Sequence, residues 1–291
     1  MKFRTGIFLL LLLFLNPAAK GQVPFFRQTP DGACVSAVIL PERFEKLPGI
    51  EACAKALLPV DPAALRKNLH SRGIRLDVTA VMVYAAGDRR FVAADGLTLP
   101  QLTFLIRKGI IAPDWSAEEV KEGLIRIRTG SKGLPPVFYA AATEKGVMLF
   151  EDPRLPARKD FPPERGELSG REPAAVRLFL RPGKDATPHP ALKDVTALSF
   201  RAWRGEGADG KPRLKAEVLL EGPPGLYDSL KLYFDTILRN AAQFGEIRPE
   251  HREMFRVERA ERNRTVIRIS LTEETAAAFL MLFSGNFAGQ G

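Results

Sequence analysis

The sequence predicts an α+β protein: antiparallel sheets with helices packed on one face, built from repeated hairpin-helix (ββα) units in two modules. Three observations carry this. Apolar residues alternate with polar ones in pairs of short segments, the signature of half-buried strands. Each pair is followed by apolar residues at helical spacing or by a helix-capping residue. A stretch dense in proline and charge, DPRLPARKDFPPERGELSGREP, interrupts the chain at residues 152–173. Such a stretch sustains neither a ladder nor a helix, so it is read as a linker.

The unit is clearest after that break. Leu198, Phe200 and Ala202 alternate, residues 205–210 turn, and Leu214, Ala216, Val218 and Leu220 alternate again. Leu226, Leu230, Phe234, Ile237, Ala241 and Phe244 then share one helical face. The order returns with Phe255 and Val257, a turn at 261–264, Ile267 and Ile269, and a helix capped by Thr272. A third copy lies in the first half. Val78 to Tyr84 and Phe91 to Ala93 flank a Gly87-Asp88 turn, and Thr98 caps a helix carrying Leu102, Leu105 and Ile106. Before it, Asp61-Pro62 opens a helix that Gly73 ends. After it, Ser116-x-x-Glu119 reads as a capping box on a short helix. Strands follow at 124–128, 137–142 and 147–150.

The opening segment predicts export. Lys2 and Arg4 precede the unbroken apolar run Ile7–Leu15, then Asn16-Pro17, then small residues at Ala19 and Gly21. This is the layout of a cleavable signal peptide. Nine apolar residues make about 14 Å of helix against roughly 30 Å of hydrocarbon, too short for an anchor unless the run stretches through Ala19; an uncleaved anchor is the alternative. The expected division is therefore a signal peptide at 1–21, an α+β module at 22–152, a linker at 153–174 and a ββαββα module at 175–291. No transmembrane segment is expected after cleavage. The expected location is periplasmic or extracellular.

The chain carries 43 Lys and Arg against 34 Asp and Glu, a net charge of +9. Lys2, Arg4 and Lys20 would leave with the leader. Outside the cytoplasm, the anionic partners open to such a chain are an envelope polymer or a lipid surface, not nucleic acid. Exported proteins meet an oxidising compartment, so Cys34 and Cys53 are expected to form a disulfide. The alternative is two separate buried thiols.

With this arrangement, carried by DVTAVMVYAAGDRRFVAADG at 77–96 and VTALSFRAWRGEGADGKPRLKAEVLLEG at 195–222, the chain resembles a broad group of uncharacterised bacterial exported proteins. Their shared features are a signal peptide and repeated hairpin-helix modules. The resemblance implies no catalytic residue.

Motifs for chemistry are sparse. Residues 205–211, GEGADGK, match the start of a phosphate-binding loop. Pro212 replaces the required hydroxyl residue, and a strand rather than a helix should follow. His70, His189 and His251 lie in different segments without metal-ligand spacing. Ser131 and Ser284 lie outside any G-x-S-x-G. No catalytic residue, metal site or cofactor is expected. Trp115 and Trp203 are read as packing in or beside the core.

The densest charge feature runs from residue 251 to 268. Arg252, Arg256, Arg264 and Arg268 are its candidate anion-binding residues, against Glu253, Glu258 and Glu261. On a hairpin Arg256 shares its face with Glu258, so part of this surface should neutralise itself. The expected function is an exported, non-catalytic binding or envelope-associated protein. The alternative is a secreted or periplasmic hydrolase whose site assembles only in three dimensions.

Overall fold

The computed structural model describes residues 34–50, 69, 71, 76–86, 89–110, 114–129, 136–152, 174–181, 194–243, 254–260 and 263–277. The leader, Cys53, the helix expected at 61–73, the linker at 153–173, all three histidines, Ser131, Ser284 and Arg252 lie outside the described residues.

The predicted repeat of ββα units in two modules is overturned. Twelve strands form one antiparallel sheet in the order β11-β12-β10-β9-β8-β1-β2-β3-β7-β6-β5-β4. The strands are β1 (Cys34–Ile39), β2 (Ala80–Ala86), β3 (Arg89–Asp95), β4 (Ser116–Lys121), β5 (Leu124–Arg128), β6 (Val137–Ala142), β7 (Gly146–Phe150), β8 (Val176–Arg181), β9 (Ala197–Glu206), β10 (Pro212–Glu221), β11 (Phe255–Ala260) and β12 (Arg264–Leu271). Among the described residues the helices are α1 (Pro41–Phe44), α2 (Leu99–Arg107) and α3 (Leu226–Gln243), and residues 273–277 are helical after Thr272, whose Oγ1 accepts from the Thr275 N–H as the sequence led one to expect. The reason for the difference is β1. It pairs with β2 along one side, Val38 opposite Met82, and with β8 along the other, Val38 opposite Arg177. That second pairing joins strands on either side of the Pro-rich stretch, which no local pattern can announce.

Alternation decides which face each strand buries. On one face, Val81, Val83, Val92, Ala94, Ile127 and Phe138 form a core with Leu102, Leu105 and Ile106 of α2 and with Trp115. Further along the same face, Leu214, Ala216, Leu220, Ile267 and Ile269 pack with Leu226 and Leu230 of α3. Arg259 of β11 fastens α3 by donating to the Asp228 carboxylate at 3.0 and 3.1 Å, with its guanidinium over Tyr227.

Local chemistry sets the helix starts. The Gln101 backbone N–H donates to Thr98 Oγ1 at 3.3 Å, and the Thr98 backbone N–H donates to Gln101 Oε1 at 2.9 Å. These two bonds make the reciprocal capping box of α2. Gly96 precedes it with φ +85°, and a Cβ there would strike the Asp77 carbonyl oxygen. Only glycine fits this entry.

One local reading is corrected. Ser116-x-x-Glu119 does not cap a helix, because Ser116–Lys121 is β4, paired with β5. Gly123, at φ +73°, turns the hairpin, and Glu118 meets Arg126 at 3.2 Å and Arg128 at 3.3 Å across it. Cross-strand pairing outweighs the capping pattern.

On the second face of the first half, ring residues fall into register. Phe91 lies opposite both Tyr84 and Phe150, and Phe150 lies opposite Tyr139. Tyr84 and Phe91 stack with centroids 5.2 Å apart, and Tyr139 stacks on Phe150 at 6.3 Å.

Candidate functional site

In the second half, the face turned away from α3 is charged. The registers place Arg177, Arg201, Glu217, Arg268 and Arg256 in a single row across β8, β9, β10, β12 and β11. Neighbours in such a row sit about 4.5–5.5 Å apart at Cβ, so their charges interact directly. Glu217 accepts from Arg201 at 2.9 Å. Arg268 turns its Nε to Glu258 at 3.0 Å. Arg256 stands directly opposite Arg268, and no described carboxylate pairs with it.

The next row holds Trp203, Lys215 and Ser270. Lys215 Nζ donates to Ser270 Oγ at 2.9 Å. An ammonium has three donors, and no described carboxylate meets this one. The Arg201 guanidinium lies over the Trp203 ring, 5.4 Å from its centroid. Gly205 makes room beside them, since a Cβ there would stand 2.8 Å from Lys215 Cγ.

These residues floor an open groove of about 920 Å³. One wall is the tip of the β9–β10 hairpin, residues 205–209; another is Met254, Arg256 and Arg268. Thr272 and Thr275 close the end, their hydroxyl oxygens 2.6 Å apart. The hairpin tip is braced internally. The Gly207 N–H donates to the Lys211 carbonyl at 2.8 Å and the Gly210 N–H to the Gly207 carbonyl at 3.0 Å. Asp209 accepts from the Lys211 N–H at 3.2 Å and from Arg213 at 2.9 Å. The Lys211 N–H above all, helped by the Arg213 charge, holds the Asp209 carboxyl below its usual range. As expected for GEGADGK, a strand follows this loop, so no helix N-terminus faces it.

Four cations line the groove (Arg213, Lys215, Arg256 and Arg268) and four carboxylates (Glu206, Asp209, Glu217 and Glu274). Asp209 and Glu217 are neutralised by arginines. Glu206 and Glu274 have no cationic partner among the described residues.

Of the residues singled out from the sequence, Arg256 and Arg268 are brought together. Arg264 is not. It lies four residues along β12, about 13 Å away at strand rise, and pairs with Glu221 at 2.8 Å. Cys34 opens β1, opposite Ala86 and Arg181 and half-buried. Its expected bond to Cys53 falls outside the described residues. Sequence reasoning missed Lys215 and Ser270 as site residues. The signal was present in the polar positions of two strands whose apolar positions had been read: Lys215 sits between Leu214 and Ala216, and Ser270 between Ile269 and Leu271.

Among the described residues, no three His, Cys, Asp or Glu side chains gather as a metal site. No described helix is long and apolar enough to cross a membrane.

No family model matches the chain, and no curated protein matches it. Among solved structures, crystal form IV of TP0453 is similar, with a TM-score of 0.49 and 15% identity, covering 86% of this chain and 93% of that one.

Proposed function

We propose that this is an exported, non-catalytic, envelope-associated binding protein that holds an anionic ligand in the groove of its charged face. The anion sits against Lys215, Arg256 and Arg268. The observation that carries this reading is the pairing of Arg256 directly with Arg268, beside an ammonium whose bonded partner is a neutral hydroxyl. Like charges set opposite each other on adjacent strands are destabilising. An anion between them relieves that repulsion and accepts charge-assisted hydrogen bonds, each contributing about 1.5–3 kcal/mol. Arginine's planar fork matches carboxylate and phosphate oxygens. Export is supported by the basic opening and the apolar run Ile7–Leu15.

The test is retention on a carboxymethyl matrix and on phosphatidylglycerol vesicles as salt rises. Wild type is expected to be retained at low salt and released as screening shortens to about 8–10 Å. Arg256→Glu with Arg268→Glu is expected to abolish retention at about 0.01 M salt, where the Debye length is about 30 Å and wild type is held. Arg181→Glu with Arg264→Glu makes the same change in net charge outside the groove and is expected to leave most of it. Equal loss in both double variants would show that net charge alone is responsible.

A further inference from the structure

We infer that the ligand is an acidic saccharide: a hydroxyl-rich chain carrying isolated carboxylates, rather than a dense polyanion or a lipid surface. The inference rests on the anion-binding reading and narrows it. Its ground is the charge balance of the groove. Four cations face four carboxylates, so the groove as a whole carries no net charge with which to draw a polyanion. A densely charged polymer laid here would meet Glu206 and Glu274 without compensation. A single anion on a neutral scaffold meets the cationic end alone.

The rest of the lining suits such a scaffold. Sugar hydroxyls both donate and accept. The groove offers acceptors in Glu206 and Glu274 and hydroxyls in Ser270, Thr272 and Thr275. It offers a further donor in the Trp203 indole N–H, which no described residue accepts. That nitrogen lies 3.6 Å from where a Gly205 Cβ would stand, so its edge borders the hairpin wall. The indole, with the Arg201 guanidinium over its ring, also adds apolar surface beside these polar groups. At about 920 Å³ the groove is at the large end of the roughly 300–1,000 Å³ typical of small-ligand sites, room for several sugar units. The open sides admit a chain that continues past the site.

The experiment is calorimetric titration of the full-length protein with a tetrasaccharide alternating glucuronate and N-acetylglucosamine. Comparison ligands are its carboxyl-reduced neutral counterpart and a heparin tetrasaccharide. The uronate ligand is expected to bind, and the neutral counterpart at least about tenfold more weakly, the worth of one charge-assisted bond. Lys215→Ala is expected to weaken the uronate ligand by about tenfold or more on the same ground. Glu206→Gln with Glu274→Gln is expected to weaken it too while strengthening heparin, a crossover that a merely positive patch would not produce. Heparin binding better than the uronate ligand to wild type, or equal binding of the neutral counterpart, overturns the inference. If no saccharide binds but salt-sensitive retention persists and is lost with Arg256→Glu and Arg268→Glu, the saccharide fails and the anion reading stands. If both are absent, both fail.

Discussion

Phe138→Ala is expected to destabilise the protein by about 3–5 kcal/mol, the range for truncating a large buried ring. Phe138 is 1% exposed and stands on β6, inside the sheet between β5 and β7. It packs against Trp115 with centroids 6.4 Å apart. Removing the ring takes away apolar burial and leaves a void that strands held on both sides cannot close. The contrast is Leu232→Ala on α3. Leu232 is 70% exposed, so its loss should move stability by no more than about 0.5 kcal/mol. Urea unfolding of both variants checks the pair. Similar midpoints would mean that Phe138 is not in a packed core.

Val38→Pro is expected to cost about 3 kcal/mol or more and to damage both halves at once. Proline removes a backbone donor and is excluded from central strands. A carbonyl stripped of its partner inside the sheet adds about 1–3 kcal/mol. Val38 lies between Met82 and Arg177, so the lesion falls where the two halves join. The two tryptophans report separately, Trp115 in the core of the first half and Trp203 on β9 of the second. In single-tryptophan backgrounds, Val38→Pro should shift both unfolding transitions together. A transition at Trp203 unmoved while Trp115 loses its signal would restore two independent modules.

These two variants also mark what the sequence could and could not announce. Hairpins were legible wherever a turn of glycine, asparagine or aspartate separated two alternating runs. The pairs β2–β3, β9–β10 and β11–β12 all came from that pattern. The Thr98 cap of α2 was legible because a cap and the backbone N–H it meets lie within four residues; the reciprocal bond from Gln101 came from the structure. The Ser116 segment, SAEE, also fits the capping-box pattern and is a strand, because its partners on β5 lie beyond the reach of a capping pattern. Strand order was illegible for the same reason: β1 meets β8 across more than a hundred residues. β8 itself, VRLFLR, follows the Pro-rich stretch and pairs with no adjacent run through a short turn, so no hairpin pattern marks it. The site was half legible. Arginine density drew attention to Arg256 and Arg268, but the facing of these two, and the addition of Lys215 from another hairpin, depend on the β10–β12 register. Arg264 drops out by that same register, which sets it beside Glu221.

The central claim is that an anion binds between Arg256, Arg268 and Lys215. Its most direct measurement is an NMR titration with methyl phosphate, following the arginine Nε–H and tryptophan indole N–H signals. The account predicts that Arg256, Arg268 and Trp203 shift together and saturate with a common dissociation constant, while Arg181 and Arg264 stay in place. Shifts spread evenly over all arginines without saturation, or none at Arg256 and Arg268, would contradict it.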